Sequence, residues 1–415
     1  MLGSKTTKTL DAPWLNAAPL RKVFAALSAD GHAVRAVGGA VRNTLLGMPV
    51  TDIDLATPAI PQDVMRLAAA AGLAVYPTGL DHGTVTVVAD AVPFEVTTLR
   101  RDVETDGRRA VVAYTTDWRE DAARRDFTIN AIYCDAAGKL FDFHNGIDDL
   151  AQRRVRFIGD AHKRIREDYL RILRFFRFSA EYADGAPDSE GLAACTALKD
   201  GLAQLSAERA GAELMKLLRA PRAGEITRVM ADTGILANVL GAPADPERLA
   251  RLETIEAALG LMPDPVTRLA VLALDGPNDA AILARRLRLS NADAQSLEGA
   301  VTVNPAFDSR APEAAQKAAL YRLGTDAYRR AMLAAWARSG AAPTDPAWRA
   351  KCQLATRWRA PSMPVSGTDV LALGVPAGPR VGVILKAFEA WWIGQDFPGD
   401  QTVNKDRLAA LIRDG

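Results

Sequence analysis

The sequence predicts an α+β fold: a small mixed sheet with helices on one face, followed by an elongated all-α remainder. Three observations predict it. Strand-like and helix-like patterns alternate only between Val34 and about Phe143. After Asp148 strand signals nearly vanish, and Ala- and Leu-rich helical periodicity runs onward between Gly/Pro clusters. The 415 residues, 49% hydrophobic and 24% charged, have globular composition, enough for about two to four buried cores.

The elements follow in order. Leu20, Val23, Phe24 and Leu27 stand at helical spacing, so residues 1–30 read as an extension and one helix. Val34–Val37 is a short apolar strand that turns at Gly38-Gly39 into a helix over AVRNTLLG. DIDLAT, Asp52–Thr57, reads as the next strand, and PQDVMRLAAAAG as a helix opened by Pro61. GTVTVVAD and VPFEVTTL, separated almost only by Ala91, form an antiparallel hairpin. Leu99–Arg119 is polar, with Arg100, Arg101, Arg108 and Arg109 set among Asp102, Glu104 and Asp106; it reads as a disordered or mobile functional loop. FTINAIYCD and KLFDF supply further strands. Glu167–Arg177 is a helix with an apolar face of Ile165, Tyr169, Ile172, Leu173 and Phe176.

Composition narrows the function classes. Cys134, Cys195 and Cys352 lie far apart without metal-ligand spacing, which argues against a disulfide framework or a zinc site. The first residues lack the apolar core of a signal peptide, and no apolar run approaches membrane-spanning length. A cytoplasmic protein with no membrane partner is expected. Net charge is only +1, yet residues 151–182 hold nine basic against four acidic residues. Such a stripe is either a surface for a polyanion or a solvated helix face.

Chemistry concentrates at a few points. The glycine turn at Gly38-Gly39 opens a helix whose backbone N–H groups suit an anion, and Arg42 adds a fork of phosphate donors. Asp52 and Asp54, two apart on a strand, present oxygens on one face. Such a pair suits Mg²⁺, which takes one or two carboxylates and leaves other positions to water and phosphate. Glu95 sits mid-strand in an apolar run: either a third catalytic carboxylate that helps bind metal or activates a hydroxyl, or an edge-strand glutamate facing water. Arg124-Arg125 just before a buried strand are poor core material and good triphosphate ligands. Asp168 and Arg171, three apart on a helix with Arg174 beyond, form either a surface ion pair or a base reader. In the second case the carboxylate accepts from the amino group of cytosine or adenine, and the guanidinium donates to the adjacent ring nitrogen. Uracil and guanine reverse that edge and are refused.

Together, GGAVRN…TDIDLAT, FEVTTLRRD, ARRDFTINA, FDFHNGIDDL and RIREDYLRILRFFRF resemble, in order and spacing, the class II tRNA nucleotidyltransferase and bacterial poly(A) polymerase family, over Val34 to Phe178. The resemblance implies an N-terminal extension (1–30), a nucleotidyltransferase head (31–147), a helical nucleotide-binding neck (148–220) and a helical body and tail that hold tRNA (221–415). It implies Mg²⁺ on Asp52 and Asp54, triphosphate contacts from Gly39 and Arg42, and Arg125 on the nucleotide. Asp168 and Arg171 would read the base, supported by Arg174 and Arg177. Asn43 and Tyr169 depart from the pattern, which usually has Asp and a small residue or proline there.

The expected activity is template-independent addition of C, C and A, from CTP and ATP, to the 3′ end of tRNA, with release of pyrophosphate. Tyr76–Thr84 lacks the basic stretch of the poly(A) polymerases, and the Leu99–Arg119 segment is full length, as in enzymes adding all three nucleotides. No histidine follows His162, which disfavours a fused phosphohydrolase domain. Poly(A) addition is the alternative within the family, and a non-catalytic RNA-binding protein the alternative outside it. Oligomeric state stays open.

Overall fold

The computed structural model describes residues 9–106, 109–302 and 304–414, with the side chains of 102–112 and 414 outside the description. The chain divides into two compact units: residues 1–222 with 232–239, and residues 223–231 with 240–415.

The first unit is built on a seven-stranded mixed sheet. Its strands are β1 (Arg35–Val37), β2 (Asp54–Thr57), β3 (Ala74–Gly79), β4 (Thr84–Ala89), β5 (Val92–Thr98), β8 (Ile132–Cys134) and β9 (Leu140–Asp142), in the spatial order β3-β4-β5-β2-β1-β8-β9. Only β2 and β5 pair in parallel. Strict alternation in β4 buries Val85, Val87 and Ala89 and turns Thr84 and Thr86 outward. Phe94, Val96 and Leu55 continue the buried face, which α1 (Ala18–Leu27) and α3 (Pro61–Ala70) cover with Leu20, Val23, Leu27, Val64 and Leu67. The expected β4–β5 hairpin forms, turning on Asp90 and Ala91, both in the left-handed region.

Three expectations are corrected. The strand at DIDLAT starts at Asp54, because the β1 ladder ends at Val37 and, among the described residues, no strand pairs with those before Asp54. FTINAIYCD contributes only Ile132–Cys134, Thr128–Asn130 being a 3₁₀ turn. The charged segment after Leu99 is not an irregular loop: β6 (Arg100–Asp106) and β7 (Arg109–Tyr114) pair as an antiparallel ribbon. The β-prone run Ala110–Tyr114 provides the second arm, and residues 107–108 lie outside the described residues. Strand β3 was not expected.

Helices complete this unit: α2 (Gly39–Leu45), α4 (Trp118–Ala123), α5 (Gly146–Ala151), α6 (Ala161–Glu167), α7 (Leu170–Tyr182), α8 (Ser189–Ala197) and α9 (Ala207–Arg219). An aromatic cluster of Phe127, Phe157, Phe175 and Phe178, with ring centroids 4.9–6.4 Å apart, packs α7 against the strand-bearing half.

The second unit is all helical among the described residues. Asp-Pro pairs start three of its helices: Asp245, Asp264 and Asp345 cap through their side chains, and Pro246, Pro265 and Pro346 occupy the first turn, where no N–H is needed. One core gathers Leu252, Val271, Tyr328 and Met332 around the stacked Trp336–Trp348 pair. Another holds Val370, Ile384, Phe388, Trp392 and Leu408. Among the described residues no helix is long and apolar enough to cross a membrane.

Candidate active site

The carboxylates meet on the open face of the sheet. Asp54 pairs with Val37 on one side. On the other, Leu55 lies opposite Val96, so one residue back Asp54 stands beside Glu95. Asp52 approaches from just before the strand and accepts from the Thr51 hydroxyl at 3.0 Å. β5 is interior, so Glu95 is exposed on the open face and is not an edge residue. Although Asp54 keeps solvent contact, surrounding protein desolvates its carboxyl and holds it above the usual range. Glu95 raises it further, Arg125 opposes, and Asp52 adds to the rise. Mutually repelling carboxylates are what a dication relieves. No group of three or more ligand-type side chains forms a ready-made cage among the described residues. Two neighbouring carboxylates suit a divalent cation that keeps water and substrate phosphate in its remaining positions.

The glycine turn follows the end of β1, beside the start of β2. Gly38 has φ +71° and ψ −120°, a backbone that favours glycine, and it starts α2. Arg42 is not the open phosphate fork the sequence led us to expect. It is buried, donating to Asn130 Oδ1 at 2.5 Å, Tyr182 Oη at 2.7 Å and Asn43 Oδ1 at 2.9 Å, with its guanidinium 4.0 Å from the Tyr182 ring centroid. Burial lowers its pKa, against the pull of Tyr182 and Glu181. Asn43 in turn donates to the Pro49 carbonyl at 2.9 Å, tying the helix to the loop that leads to Asp52.

Arg124 and Arg125 both lean on buried Asp121. Burial would raise the Asp121 carboxyl, but Arg125 and Arg124, with the Tyr133 hydroxyl, hold it below the usual range. Arg125 also reaches Tyr133 Oη at 3.1 Å and acts on Asp54. The third residue of this run, Asp126, which sequence reasoning missed, takes Arg174 Nε at 2.7 Å and Asn130 Nδ2 at 3.1 Å.

The expected base reader is rearranged. The helix over Glu167–Arg177 is broken: Asp168 is extended, with φ −158°, between α6 and α7. One carboxylate oxygen accepts from Leu170 N at 3.1 Å, and the other from Arg209 on α9 at 2.6 Å. Arg171 pairs with Glu167 and donates to the Arg164 carbonyl. Asp168 and Arg171 are therefore not side-chain partners, because the break takes them off a common helical face. Tyr169, the departure from the family pattern, lies directly across Gly201, where a Cβ would collide with its ring.

Arg174 and Arg177 converge on Glu213, buried on α9. A polar circuit closes through Asn130, Asp126, Arg174, Glu213, Arg177, Glu181, Tyr182 and Arg42. The signal for Glu213 was present: a carboxylate on the apolar stripe with Leu214 and Leu217 of an amphipathic helix. Much of the basic stripe of residues 151–182 is paired with the protein's own carboxylates, through Arg154–Asp188, Arg156–Asp149, Arg171–Glu167, Arg174–Asp126 and Arg177–Glu213, while Arg153, Arg154, Lys163 and Arg166 stay exposed.

Comparison with known proteins bears on both units. Residues 34–156 match the family model described as poly A polymerase head domain, and residues 186–247 the one described as probable RNA and SrmB-binding site of polymerase A. The chain is 34% identical to the mouse mitochondrial CCA tRNA nucleotidyltransferase 1, over 95% of this chain and 89% of that protein. It is 34% identical to the CCA-adding enzyme of Geobacillus stearothermophilus, over 93% and 94%. The crystal structure of the Bacillus stearothermophilus CCA-adding enzyme in complex with CTP superposes with a TM-score of 0.71 at 28% identity, covering 96% of this chain and 98% of that one.

Proposed function

The chain belongs to the class II CCA-adding enzyme family, and from that premise we propose that it adds C, C and A to the 3′ end of tRNA from CTP and ATP without a template. The observation that carries the reading is the grouping of Asp52, Asp54 and Glu95 on the open sheet face beside Arg125. The reaction is attack of the tRNA terminal hydroxyl on the α-phosphate, with pyrophosphate leaving. Enzymes of this family use a divalent metal. Asp52 and Asp54 would hold it here, and Mg²⁺, when bound, supplies charge stabilisation for the attacking and leaving oxygens. Glu95, on the same face, adds negative potential toward the metal position. Arg125, held by Asp121 and Tyr133, is oriented toward the nucleotide phosphates. Gly38 and Gly39 let the backbone approach the triphosphate, and Arg42 stiffens that turn from behind.

Asp168 remains the base-reading carboxylate in this proposal, with Arg209 holding it in place of Arg171. Arg171 contributes from the adjoining turn, and Arg174 and Arg177 keep the neck in register with the head through Asp126 and Glu213. The separated, buried free cysteines support a cytoplasmic location. The test is incorporation into a tRNA lacking CCA, with each nucleotide singly and in pairs. CTP alone should give two additions and CTP with ATP three. Long runs of A from ATP alone would assign poly(A) addition instead, and tRNA binding without incorporation a non-catalytic binder.

A further inference from the structure

The row of paired residues that holds Asp54 continues across the sheet. Asp54 lies opposite Val37, Val37 opposite Tyr133, and Tyr133 opposite Phe141. Residues directly paired across antiparallel strands share a face. Asp54 and Phe141 are thus three strand spacings apart on one sheet face, about 14 Å at about 4.8 Å per strand, with Val37 and Tyr133 between them buried under Leu99, Ala122 and Ile158 and with Phe141 at the rim of that core. Arg35, two residues before Val37, points the same way.

Aromatic rings and cations alternate at this end. The Arg35 guanidinium is sandwiched 3.4 Å from the Phe141 ring centroid and 4.0 Å from that of Trp118. Lys139 stands 5.1 Å from the Phe141 centroid, and Arg119 lies 5.3 Å from the centroid of Phe143. Among the described residues none of these three cations makes a side-chain hydrogen bond or an ion pair. Asp135 acts on Arg35 only from beyond ion-pair distance. The contrast is with Arg125, Arg174 and Arg177, each matched to a carboxylate. A guanidinium covered on both faces keeps its N–H edge for an oxyanion. Rings interleaved with unneutralised cations are the composition of a single-stranded nucleic-acid platform, where rings stack on bases and cations meet phosphates.

We propose that this end of the sheet, centred on Arg35, Trp118 and Phe141 and flanked by Lys139, Arg119 and Phe143, binds the single-stranded 3′ end of the RNA acceptor. It takes the nucleotides upstream of the attacking hydroxyl. The span to Asp54 matches about four nucleotides at the stacked rise of about 3.4 Å, which separates the platform from the incoming nucleotide. The proposal rests on reading Asp52 and Asp54 as the reaction centre.

The experiment uses the full chain, CTP and a tRNA lacking CCA, with KM measured separately for tRNA and for CTP. The double variant Lys139→Ala/Arg119→Ala changes exposed side chains and spares the core. Arg35→Met keeps the stem and removes the charge. Each should raise KM for the tRNA by about tenfold, the loss expected for one stacked or charged contact, with KM for CTP unchanged. In binding measured without divalent metal or nucleotide, the double variant should flatten the log Kd against log salt slope by about one per lost phosphate contact. Unchanged tRNA KM and salt slope in the double variant overturn the proposal. So does a parallel rise in KM for CTP, which would assign the cations to the incoming nucleotide. Asp54→Ala, run alongside, should abolish incorporation and preserve tRNA binding. Retained incorporation there would sink the reaction-centre reading while leaving the binding result to stand on its own.

Discussion

At the scale of single residues, the arginines divide by whether the protein's own polar groups engage them. Arg42, Arg174 and Arg177 are fixed in a polar circuit, so their work is to hold the glycine turn and the neck in register. Asp168 keeps a half-exposed carboxylate between Leu170 N and Arg209. Losing it would leave the amino group of a bound cytosine or adenine unpaired, a cost of about 1–3 kcal/mol, or about tenfold to a hundredfold in selectivity. Asp168→Ala is therefore expected to relax the preference for CTP and ATP over UTP and GTP more than it slows incorporation. Steady-state incorporation of all four nucleotides decides this, and unchanged selectivity would remove Asp168 from base reading. The sequence named Asp168 but paired it with Arg171 by helical spacing. A two-residue break in the helix at Asp168 and Tyr169, with the Asp168 carboxylate accepting from Leu170 N, was beyond the reach of periodicity.

Among the elements, the joint between Asp126 and α7 makes a pH-dependent contribution. Burial would raise the Asp126 carboxyl, but Arg174, then Asn130 and Phe127 N–H, hold it below the usual range. A carboxylate depressed in the folded state adds stability that is present above its unfolded pKa, about 3.9. That stability is lost as pH falls through the lower folded value. Asp126→Asn should melt below the parent at pH 7, with the gap closing as pH falls under about 4. A gap constant between these pH values in thermal melts would assign the loss to shape alone. The β6–β7 ribbon carries a second prediction. An antiparallel arm hinged at Leu99 and Thr115 is suited to act as a lever on the nucleotide pocket. Deleting Asp102–Arg109 should spare CC addition and suppress the final A. Equal loss of both would reduce the ribbon to a folding role. Its charged composition disguised it as a loop, because strand patterns are recognised by buried apolar alternation, which a two-stranded ribbon does not require.

For the molecule as a whole, the neutral net charge conceals where anions are met. With much of the 151–182 stripe paired internally, tRNA affinity should come from cations elsewhere, chiefly the helical second unit. Binding to phosphates releases counterions, so affinity should fall roughly a hundredfold or more between about 50 and 200 mM salt. Filter binding of the full chain across that range is the measurement, and a flat response would exclude phosphate contacts as the main source.

The sequence by itself determined the α+β class and the sheet-then-helix order, and it named Asp52, Asp54, Glu95, Arg125 and Asp168 as candidates. These are local properties: periodicity, turn chemistry and the placing of charge in apolar runs are written within a few residues. Only the tertiary structure decided which charge meets which. Asp168 finds Arg209 and Arg174 finds Asp126 across long stretches of chain, and Asp54 shares a row with Phe141 through three strand pairings. The physical reason is that ion pairing follows proximity and shared desolvation, and both are set by how distant segments pack.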